Sequence, residues 1–206
     1  PEVVGLAVST RPDTLSSGAL DLLQKISERY DVWLELGLQT IHDQTNKRLN
    51  RWHTYDQFET ALRRARQKPG LQICAHVILG LPGESIQQMH QTVEAVASLP
   101  LDGIKIHQLH VIKNTRLYEE YLAGSIAIFD EDEYVQLVCD CLEKLPPKMI
   151  IHRLTGDAAK EKMVAPLWAL AKARVLAKIN GELTRRGSYQ GSKFTTQEIR
   201  ATLTLS

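Results

Sequence analysis

The residues best suited to chemistry lie on short apolar segments spaced along the chain. Residues 75–85 have the sequence AHVILGLPGES, in which a histidine precedes two glycines, a proline and a glutamate. Glycine lets the backbone approach a ligand closely, and the free amides at the start of a helix attract a negatively charged group. The segment is typical of a site for a ligand with a planar part and polar groups. An ordinary strand-to-helix turn has the same composition and remains an alternative.

Three segments combine an aliphatic face with a polar face. In VWLELGLQ (32–39), QICAHVILG (72–80) and GIKIHQLHV (103–111), aliphatic residues alternate with other residues. A period of two is the pattern of a strand whose two faces differ. Burial of an unpaired polar group costs about 1–3 kcal/mol, so the polar side chains are expected to face a ligand cavity. The predicted contacts to a substrate in that cavity are Glu35, His76, Lys105 and His107.

Histidines on strands also raise the alternative of a metal-dependent hydrolase. His76, His107, His110 and His152 all lie in strand-like segments. Such barrels bind zinc through strand-end histidines together with carboxylates. The chain has no His-x-His pair, and His107 and His110 are predicted to point to opposite faces of a strand. Histidines hydrogen-bonded within a polar interior are therefore favoured, and no metal site is predicted in this chain.

The elements that position these residues alternate along the chain. Strand-like runs occur at Val3–Val8, Val32–Leu38, Ile73–Leu79, Ile104–Val111 and Met149–Leu154, with helical patterns between them. This order is typical of βα units on a parallel sheet. A doubly wound sheet covered on both sides would be apolar on both faces, whereas here one face is polar. The pattern therefore favours an α/β fold, a partial TIM-like (β/α)6 barrel of parallel strands with a helical C-terminal extension.

Capping sequences predict where several helices begin and end. Thr54 with Gln57 and Ser85 with Gln88 have the spacing of capping boxes, and Asp130 is suited to cap a helix that ends before Pro146-Pro147. A last long helix is predicted to begin at Pro166 and to end at Gly181.

Composition narrows the class of protein and its compartment. The 206 residues include 25 Lys and Arg and 24 Asp and Glu, which excludes a role as a global polyelectrolyte. No apolar run is long enough to span a bilayer, and no signal peptide is visible. Three cysteines do not suggest a disulfide framework, so a cytoplasmic compartment and no membrane partner are predicted.

Taken together, the strand-end sequences resemble the radical S-adenosylmethionine (SAM) superfamily. The resemblance covers roughly residues 3–191 and is to the branch that contains oxygen-independent coproporphyrinogen oxidase and the elongator-type enzymes, with YhcC-type bacterial proteins as the nearest likeness. The segments that match in order and spacing are GLAVSTRPD, WLELGLQT, LNRWHT, HVILGLPGES and DGIKIHQLHVIKNTRL.

The resemblance implies which residues hold SAM. Gln39 matches a position near the SAM ribose, and Arg51 matches an arginine that neutralises the methionine carboxylate. Ile78 and Gly80 match residues that pack against adenine, and Glu84 occupies the acidic position that closes the same motif.

Further positions either match the family pattern or depart from it. His110 and Val111 match a segment whose backbone meets the adenine edge. Ser9 stands where relatives carry a carboxylate, so that cofactor contact is expected to be lost or mediated by water. His76 replaces an aspartate that the porphyrinogen enzymes carry before Gly-Leu-Pro.

The resemblance also implies a [4Fe–4S] cluster, SAM cleavage to a 5′-deoxyadenosyl radical, an unidentified substrate and a reductant. The C-x3-C-x2-C motif that would bind such a cluster is absent from residues 1–206. The chain is therefore expected to lack an N-terminal part with the cluster cysteines and to be inactive alone. Residues 1–156 are interpreted as the C-terminal portion of the barrel and residues 157–206 as a helical extension with a basic tail.

A basic C-terminal end raises the alternative of an RNA-binding barrel. From Lys172 onward, seven basic residues are opposed by two acidic residues. The elongator-type enzymes act on tRNA. The resemblance therefore implies tRNA as a less favoured partner, which would bind to Lys178, Arg185 and Arg186. A solvated helix face explains the same residues without any RNA.

Overall fold

The structure, a computed structural model, describes residues 2–195 and has alternating strands and helices. The strands are β1 (Gly5–Thr10), β2 (Asp31–Gln39), β3 (Leu71–Leu79), β4 (Gly103–Gln108), β5 (Val111–Ile112), β6 (Ile150–Arg153) and β7 (Met163–Ala165). The helices are α1 (Ser17–Ser27), α2 (Asp43–Arg48), α3 (Tyr55–Arg66), α4 (Ile86–Ser98), α5 (Arg116–Leu122), α6 (Glu131–Lys144) and α7 (Lys172–Arg185). Each of the five predicted strands is present, with bounds shifted by a few residues.

Five strands form one sheet in the order β1-β2-β3-β4-β6. β1 pairs with β2 and β2 with β3, both parallel, so the predicted α/β fold with a parallel sheet is confirmed. The register aligns Ser9 with Glu35 and Glu35 with Cys74. It also aligns Gly37 with His76, and polar residues therefore follow one another across the sheet.

The prediction of one continuous strand through Val111 is wrong. β4 ends at Gln108, and Val111 lies in β5, which pairs antiparallel with β7 in a separate two-stranded sheet. Val111 is fully buried beside Ala165 and Ile126 in a small apolar cluster. Burial against these distant residues moves the segment out of the main sheet, and a local pattern does not reveal it.

The chain divides into two compact units. Unit 1 contains residues 1–77, 99–105 and 148–152, and unit 2 contains residues 78–98, 106–147 and 153–206. In unit 1, α1 and α3 pack on β2 and bury Leu20, Leu34 and Phe58. In unit 2, α6 packs on α7 and buries Val138 and Ile179. The division into a barrel portion (1–156) and a helical extension (157–206) stays a prediction. Residues 196–206 of that extension lie outside the described part of the chain.

Helix starts follow the local sequence closely. Both bonds of a capping box are present for Thr54 with Gln57 and for Asp130 with Glu133. Ser85 and Gln88 exchange the same pair of bonds ahead of α4. The cap predictions are confirmed because they depend on residues within one turn of each other.

The predicted bounds of the last helix are wrong at both ends. Pro166 precedes a short 3-10 turn, Leu167–Leu170, and α7 begins only at Lys172. Gly181 lies inside α7, which continues to Arg185. An internal glycine costs about 1 kcal/mol relative to alanine. The buried face of α7, which includes Val175 and Ile179, offsets this cost. None of the helices in residues 2–195 combines the length and the apolar character needed to cross a bilayer.

Candidate functional site

Glu35 is the centre of a buried polar cluster in unit 1. Its side chain is only 4% exposed. Ser9 Oγ donates to Glu35 Oε2 at 2.5 Å, and His76 Nε2 lies 3.0 Å from the same oxygen. Lys105 Nζ forms an ion pair with Oε1. Three of the four residues predicted to contact substrate, Glu35, His76 and Lys105, therefore lie together, and Ser9 joins them.

Competing effects set the pKa of Glu35. Burial raises this pKa, but hydrogen bonds from Lys105 and then Ser9 outweigh it and lower the pKa from 4.5 to about 2. The carboxylate therefore stays ionised across the physiological pH range. Such a group is a poor general base, because its affinity for a proton is low. Its evident role is to hold the donors around it.

Gly37 and two side chains above it form a cradle in the same unit. Gln39 has a positive φ of 71°, and Arg51 Nη2 donates to the Gly37 carbonyl at 3.4 Å. A Cβ added to Gly37 would lie 2.8 Å from Gln39 Nε2 and 3.1 Å from Arg51 Nη2. The two side chains predicted to hold SAM thus lie together over a bare Cα, and a side chain at residue 37 would push their flexible ends aside.

Arg51 has hydrogen-bonding capacity that the described residues do not use. Its Nε is buried and has no hydrogen-bond partner in residues 2–195. Burial and the nearby Arg11 lower the pKa of Arg51, which Asp13 partly counteracts. A buried donor left without an acceptor costs about 1–3 kcal/mol, so this side chain is suited to bind an anion.

Two neighbouring polar residues were missed at the sequence level. His53 is 3% exposed and Asn46 is 1% exposed. Both ring nitrogens of His53 and Oδ1 of Asn46 lack a hydrogen-bond partner within the described residues. Burial and Arg51 lower the pKa of His53, so it is predominantly neutral at pH 7. His53 lies in LNRWHT, two residues after the arginine matched to SAM, whereas no motif marks Asn46.

A glycine-rich loop borders a cavity in unit 2. Gly80 and Gly83 have φ values of 85° and 87°, which L side chains rarely adopt. The cavity has a volume of about 280 Å³. Its lining residues include Gly80, Leu81, Pro82, Gly83, Glu84, Met89, Ser125, Ile126, Ala127, Ile128 and Phe129. Gly80 and Glu84 therefore share this cavity, and Ile78, which is half-buried, lies on β3 just before it.

Phe129 is a further residue that the sequence did not reveal. A Cβ on Gly80 would lie 3.2 Å from its ring, so the phenyl group packs directly against the glycine backbone. Trp168 Nε1 donates to the Phe129 carbonyl at 3.0 Å and fixes the segment. No local motif marks Phe129, because the contact joins residues far apart in the sequence.

His107 and His110 meet at a glycine in unit 2. A Cβ on Gly156 would lie 2.8 Å from His110 Cε1 and 3.2 Å from His107 Nδ1. The Gly156 amide donates to Gln108 Oε1 at 2.7 Å, and Gln108 Nε2 lies 2.7 Å from His110 Nε2. The prediction that the histidines point to opposite faces is wrong, because β4 ends at Gln108 and the alternation stops there.

The cysteines do not form a metal site. Cys74, Cys139 and Cys141 are buried free thiols. Burial raises the pKa of Cys74 to about 12 and that of Cys139 to about 11, so both are protonated at neutral pH. Residues 2–195 contain no group of three or more His, Cys, Asp or Glu side chains arranged to hold a metal ion.

The basic residues predicted to meet RNA are paired with carboxylates. Lys178 binds Glu131 and Asp132, Arg185 binds Glu182, and Arg186 binds both Glu182 and Asp140. This pairing neutralises most of the positive charge on α7. Arg200, one of the seven basic residues from Lys172 onward, lies outside the described residues.

Two models of known protein families together match most of the chain. A model of the radical SAM superfamily matches residues 1–96, and a model of the radical SAM C-terminal domain matches residues 101–185. The chain belongs to the radical SAM superfamily. Membership implies SAM and a [4Fe–4S] cluster as cofactors and confirms the resemblance stated from the motifs.

Two bacterial proteins are similar to most of this chain. YtqA of Bacillus subtilis is 45% identical over 202 residues, which are 98% of this chain and 62% of YtqA. YhcC of Escherichia coli K12 is 38% identical over 191 residues, which are 92% of this chain and 61% of YhcC. The chain thus spans about three fifths of the length of these relatives.

A solved structure of another protein supports the fold. The Elp3 protein of the archaeon Methanocaldococcus infernus, with its N-terminus deleted, superposes with a TM-score of 0.75 at 22% identity. The match covers 91% of this chain and 43% of the Elp3 chain. At this identity the likeness establishes the architecture and leaves the substrate open.

Proposed function

We propose that this chain supplies the SAM contacts and the substrate contacts of a radical SAM enzyme. The proposal combines membership of the superfamily with one observation, the cradle that Gln39 and Arg51 form over Gly37. In such enzymes, a reduced [4Fe–4S] cluster supplies the electron that splits SAM into methionine and a 5′-deoxyadenosyl radical. The substrate of this enzyme is a separate question, because the cradle concerns the cofactor.

The cradle is chemically suited to the methionyl end of SAM. Arg51 brings a guanidinium with a buried Nε that has no partner in residues 2–195, and Gln39 adds an amide beside it. A carboxylate is the natural acceptor for a guanidinium, because the bond is assisted by both charges. We assign Arg51 to neutralise the carboxylate and Gln39 to orient the adjoining part of the cofactor.

The glycine-rich loop of unit 2 is suited to the adenine. The cavity that Gly80 borders has apolar walls that include Ile126 and Phe129. We assign Ile78 and Gly80 to adenine packing, the backbone of His110 and Val111 to the adenine edge and Glu84 to the polar rim. Ser9 is assigned no direct SAM contact, because its hydroxyl donates to Glu35.

The described residues fit SAM but not the cluster. A [4Fe–4S] cluster needs thiolates, whereas the three cysteines are buried and the pKa values of their thiols are raised. We therefore propose that the cluster ligands come from a part of a longer protein that this chain does not contain, with an external reductant. The chain's own share is to bind, orient and exclude water.

RNA binding through the basic end is the less favoured alternative. Lys178, Arg185 and Arg186 all have carboxylate partners, so few uncompensated charges remain to meet phosphates. A tRNA substrate remains a proposal that rests on analogy with the elongator-type enzymes. A zinc-dependent hydrolase is disfavoured, because residues 2–195 offer no set of three metal ligands.

Adding a methyl group at Gly37 tests the assignment of the cradle. We expect Gly37→Ala to weaken SAM binding about tenfold or more, because the new Cβ displaces Gln39 Nε2 and Arg51 Nη2 from their positions. The free energy of unfolding should change by less than the free energy of SAM binding, since both side chains are flexible at their ends. Isothermal titration of the purified protein with SAM measures the affinity, and urea denaturation measures the stability.

Gly18→Ala is the matched control. Nothing lies within 4 Å of a Cβ at Gly18, which is in the first turn of α1. This variant should bind SAM like the wild type and be as stable or slightly more stable. Equal SAM affinity in Gly37→Ala and wild type would show that SAM does not use the cradle, and no SAM binding by the wild type would contradict the proposed function.

A further inference from the structure

The cluster around Glu35 presents donors to solvent. Both oxygens of Glu35 are engaged, Oε2 by Ser9 and His76 and Oε1 by Lys105. The Glu35 side chain is 4% exposed, whereas those of His76 and Lys105 are 19% and 16% exposed. A ligand that reaches this cluster therefore meets an ammonium and an imidazole rather than the carboxylate.

Two side chains that neighbour the cluster, Cys74 and His152, bring no negative charge to it. The Cys74 thiol is neutral, because burial raises its pKa to about 12. His152 packs on Trp33 with ring centroids 4.1 Å apart. Burial and the charge of Lys105 lower the pKa of His152, an effect that Glu35 partly counteracts. With one carboxylate, one ammonium and two imidazoles, the group can accept a further negative charge.

The cluster differs from an ordinary structural ion pair in the same unit. Asp102 Oδ2 accepts from Arg66 and also from the amide of Ile73, so that pair anchors backbone. In the Glu35 cluster, the bonds to the carboxylate join side chains, and these come from β1, β2, β3 and β4. A buried carboxylate that orders other side chains is typical of a functional site, where a supporting group fixes the residues that touch a ligand.

We propose that Lys105 and His76, held in place by Glu35, bind an anionic oxygen-rich group of the substrate, a carboxylate or a phosphate. Lys105 supplies the charge, His76 supplies a second hydrogen bond, and Glu35 is a positioning residue. The assignment to a substrate rests on the proposed function, since a substrate beside SAM requires that the chain binds SAM as part of an enzyme. The anion site itself can be measured without any turnover.

Anion titrations test the site directly. Histidine side-chain NMR spectra of the purified protein are recorded during addition of sodium acetate or inorganic phosphate, at constant pH and constant ionic strength held with chloride. The His76 signals, assigned with His76→Gln, should shift in a saturable way with one anion or both. Saturation by acetate alone identifies a carboxylate group, and saturation by phosphate alone identifies a phosphate. No saturable shift with either anion overturns the proposal.

Variants show whether Lys105 carries the charge. Lys105→Met should lower the affinity for the anion at least tenfold. Lys105→Arg should retain measurable affinity because the positive charge remains. Lys68→Met removes a lysine paired with Asp21 at the surface and should leave the titration unchanged. Equal affinity in Lys105→Met and wild type overturns the proposal. If Lys105→Met fails to fold, Glu35→Gln serves instead: wild-type affinity in that variant overturns the positioning role, and weaker affinity supports it.

A repeat with saturating SAM separates substrate from cofactor. Undiminished anion affinity beside bound SAM supports a substrate site, whereas competition between the anion and SAM assigns the cluster to the cofactor and overturns the substrate claim. A wild-type protein that binds the anion but not SAM contradicts the proposed function while leaving the anion site standing. The two hypotheses therefore fail in different ways.

Discussion

Arg51→Gln is expected to weaken SAM binding by about 10–100-fold, the effect of losing a hydrogen bond to a charged group worth about 1.5–3 kcal/mol. Glutamine keeps a donor near Gly37 but removes the positive charge that we assign to the SAM carboxylate. Folding should be preserved, because burial of Arg51 Nε without a partner in residues 2–195 is a cost that the variant removes. Isothermal titration with SAM gives the affinity, and thermal unfolding without SAM gives the stability.

Arg63→Gln is the control for loss of an arginine. Arg63 is exposed on α3 and donates a hydrogen bond to Thr60 in the preceding turn. SAM affinity in this variant should equal that of the wild type. A similar loss of affinity in both variants would point to net charge rather than to a specific contact. An unchanged affinity in Arg51→Gln would remove Arg51 from the SAM site.

Glu35→Gln is expected to lower the free energy of unfolding by about 2–3 kcal/mol at pH 7. The substitution leaves the Lys105 ammonium, whose side chain is 16% exposed, without its partner. Removing one member of a fully buried pair costs about 3–5 kcal/mol, and the residual exposure of Lys105 reduces this figure. Urea denaturation measures the change as a lower midpoint with an unchanged slope.

The pH dependence of the same comparison checks the cause. The pKa of Glu35 is lowered to about 2 in the folded protein, so its contribution is complete above the unfolded-state value near 4.5. The contribution is lost as the pH falls toward 2, and the difference between wild type and Glu35→Gln should shrink over that range. Glu28→Gln, at an exposed position after α1, should change stability by less than about 0.5 kcal/mol. If Glu35→Gln changed stability as little as Glu28→Gln, the result would contradict the role of the Glu35 carboxylate as the central partner of the buried cluster.

Features that depend on neighbouring residues were predictable from the sequence. The strands, the capping boxes at Thr54 and Ser85, and the polar face of β2 follow from periods and spacings within one element. The grouping of Glu35, His76 and Lys105 also followed, because parallel strands in register bring side chains of like orientation to one face. The motifs likewise indicated the superfamily, because each of them is a short run of consecutive residues.

Features that depend on distant contacts were not predictable. Phe129 against Gly80 and the pairing of Val111 with Ala165 join residues far apart in the sequence, and no periodicity encodes them. Glycine favours helix C-termini, so the sequence predicts a helix end at Gly181. Tertiary packing of α7 outweighs the low helix propensity of this glycine. The buried polar atoms of His53 were hidden for another reason, since a sequence does not reveal which hydrogen bonds are left unmade.

The central claim is that this chain positions SAM for radical chemistry, and formation of 5′-deoxyadenosine tests it most directly. The measurement uses a protein that contains this chain together with the cluster ligands we propose, with its [4Fe–4S] cluster reconstituted anaerobically. The protein is mixed with SAM and a chemical reductant, and 5′-deoxyadenosine is followed by liquid chromatography and mass spectrometry. The account predicts 5′-deoxyadenosine that depends on the reductant and is formed more slowly by Arg51→Gln at low SAM concentration. Absence of 5′-deoxyadenosine from a protein with a full cluster and bound SAM would contradict it.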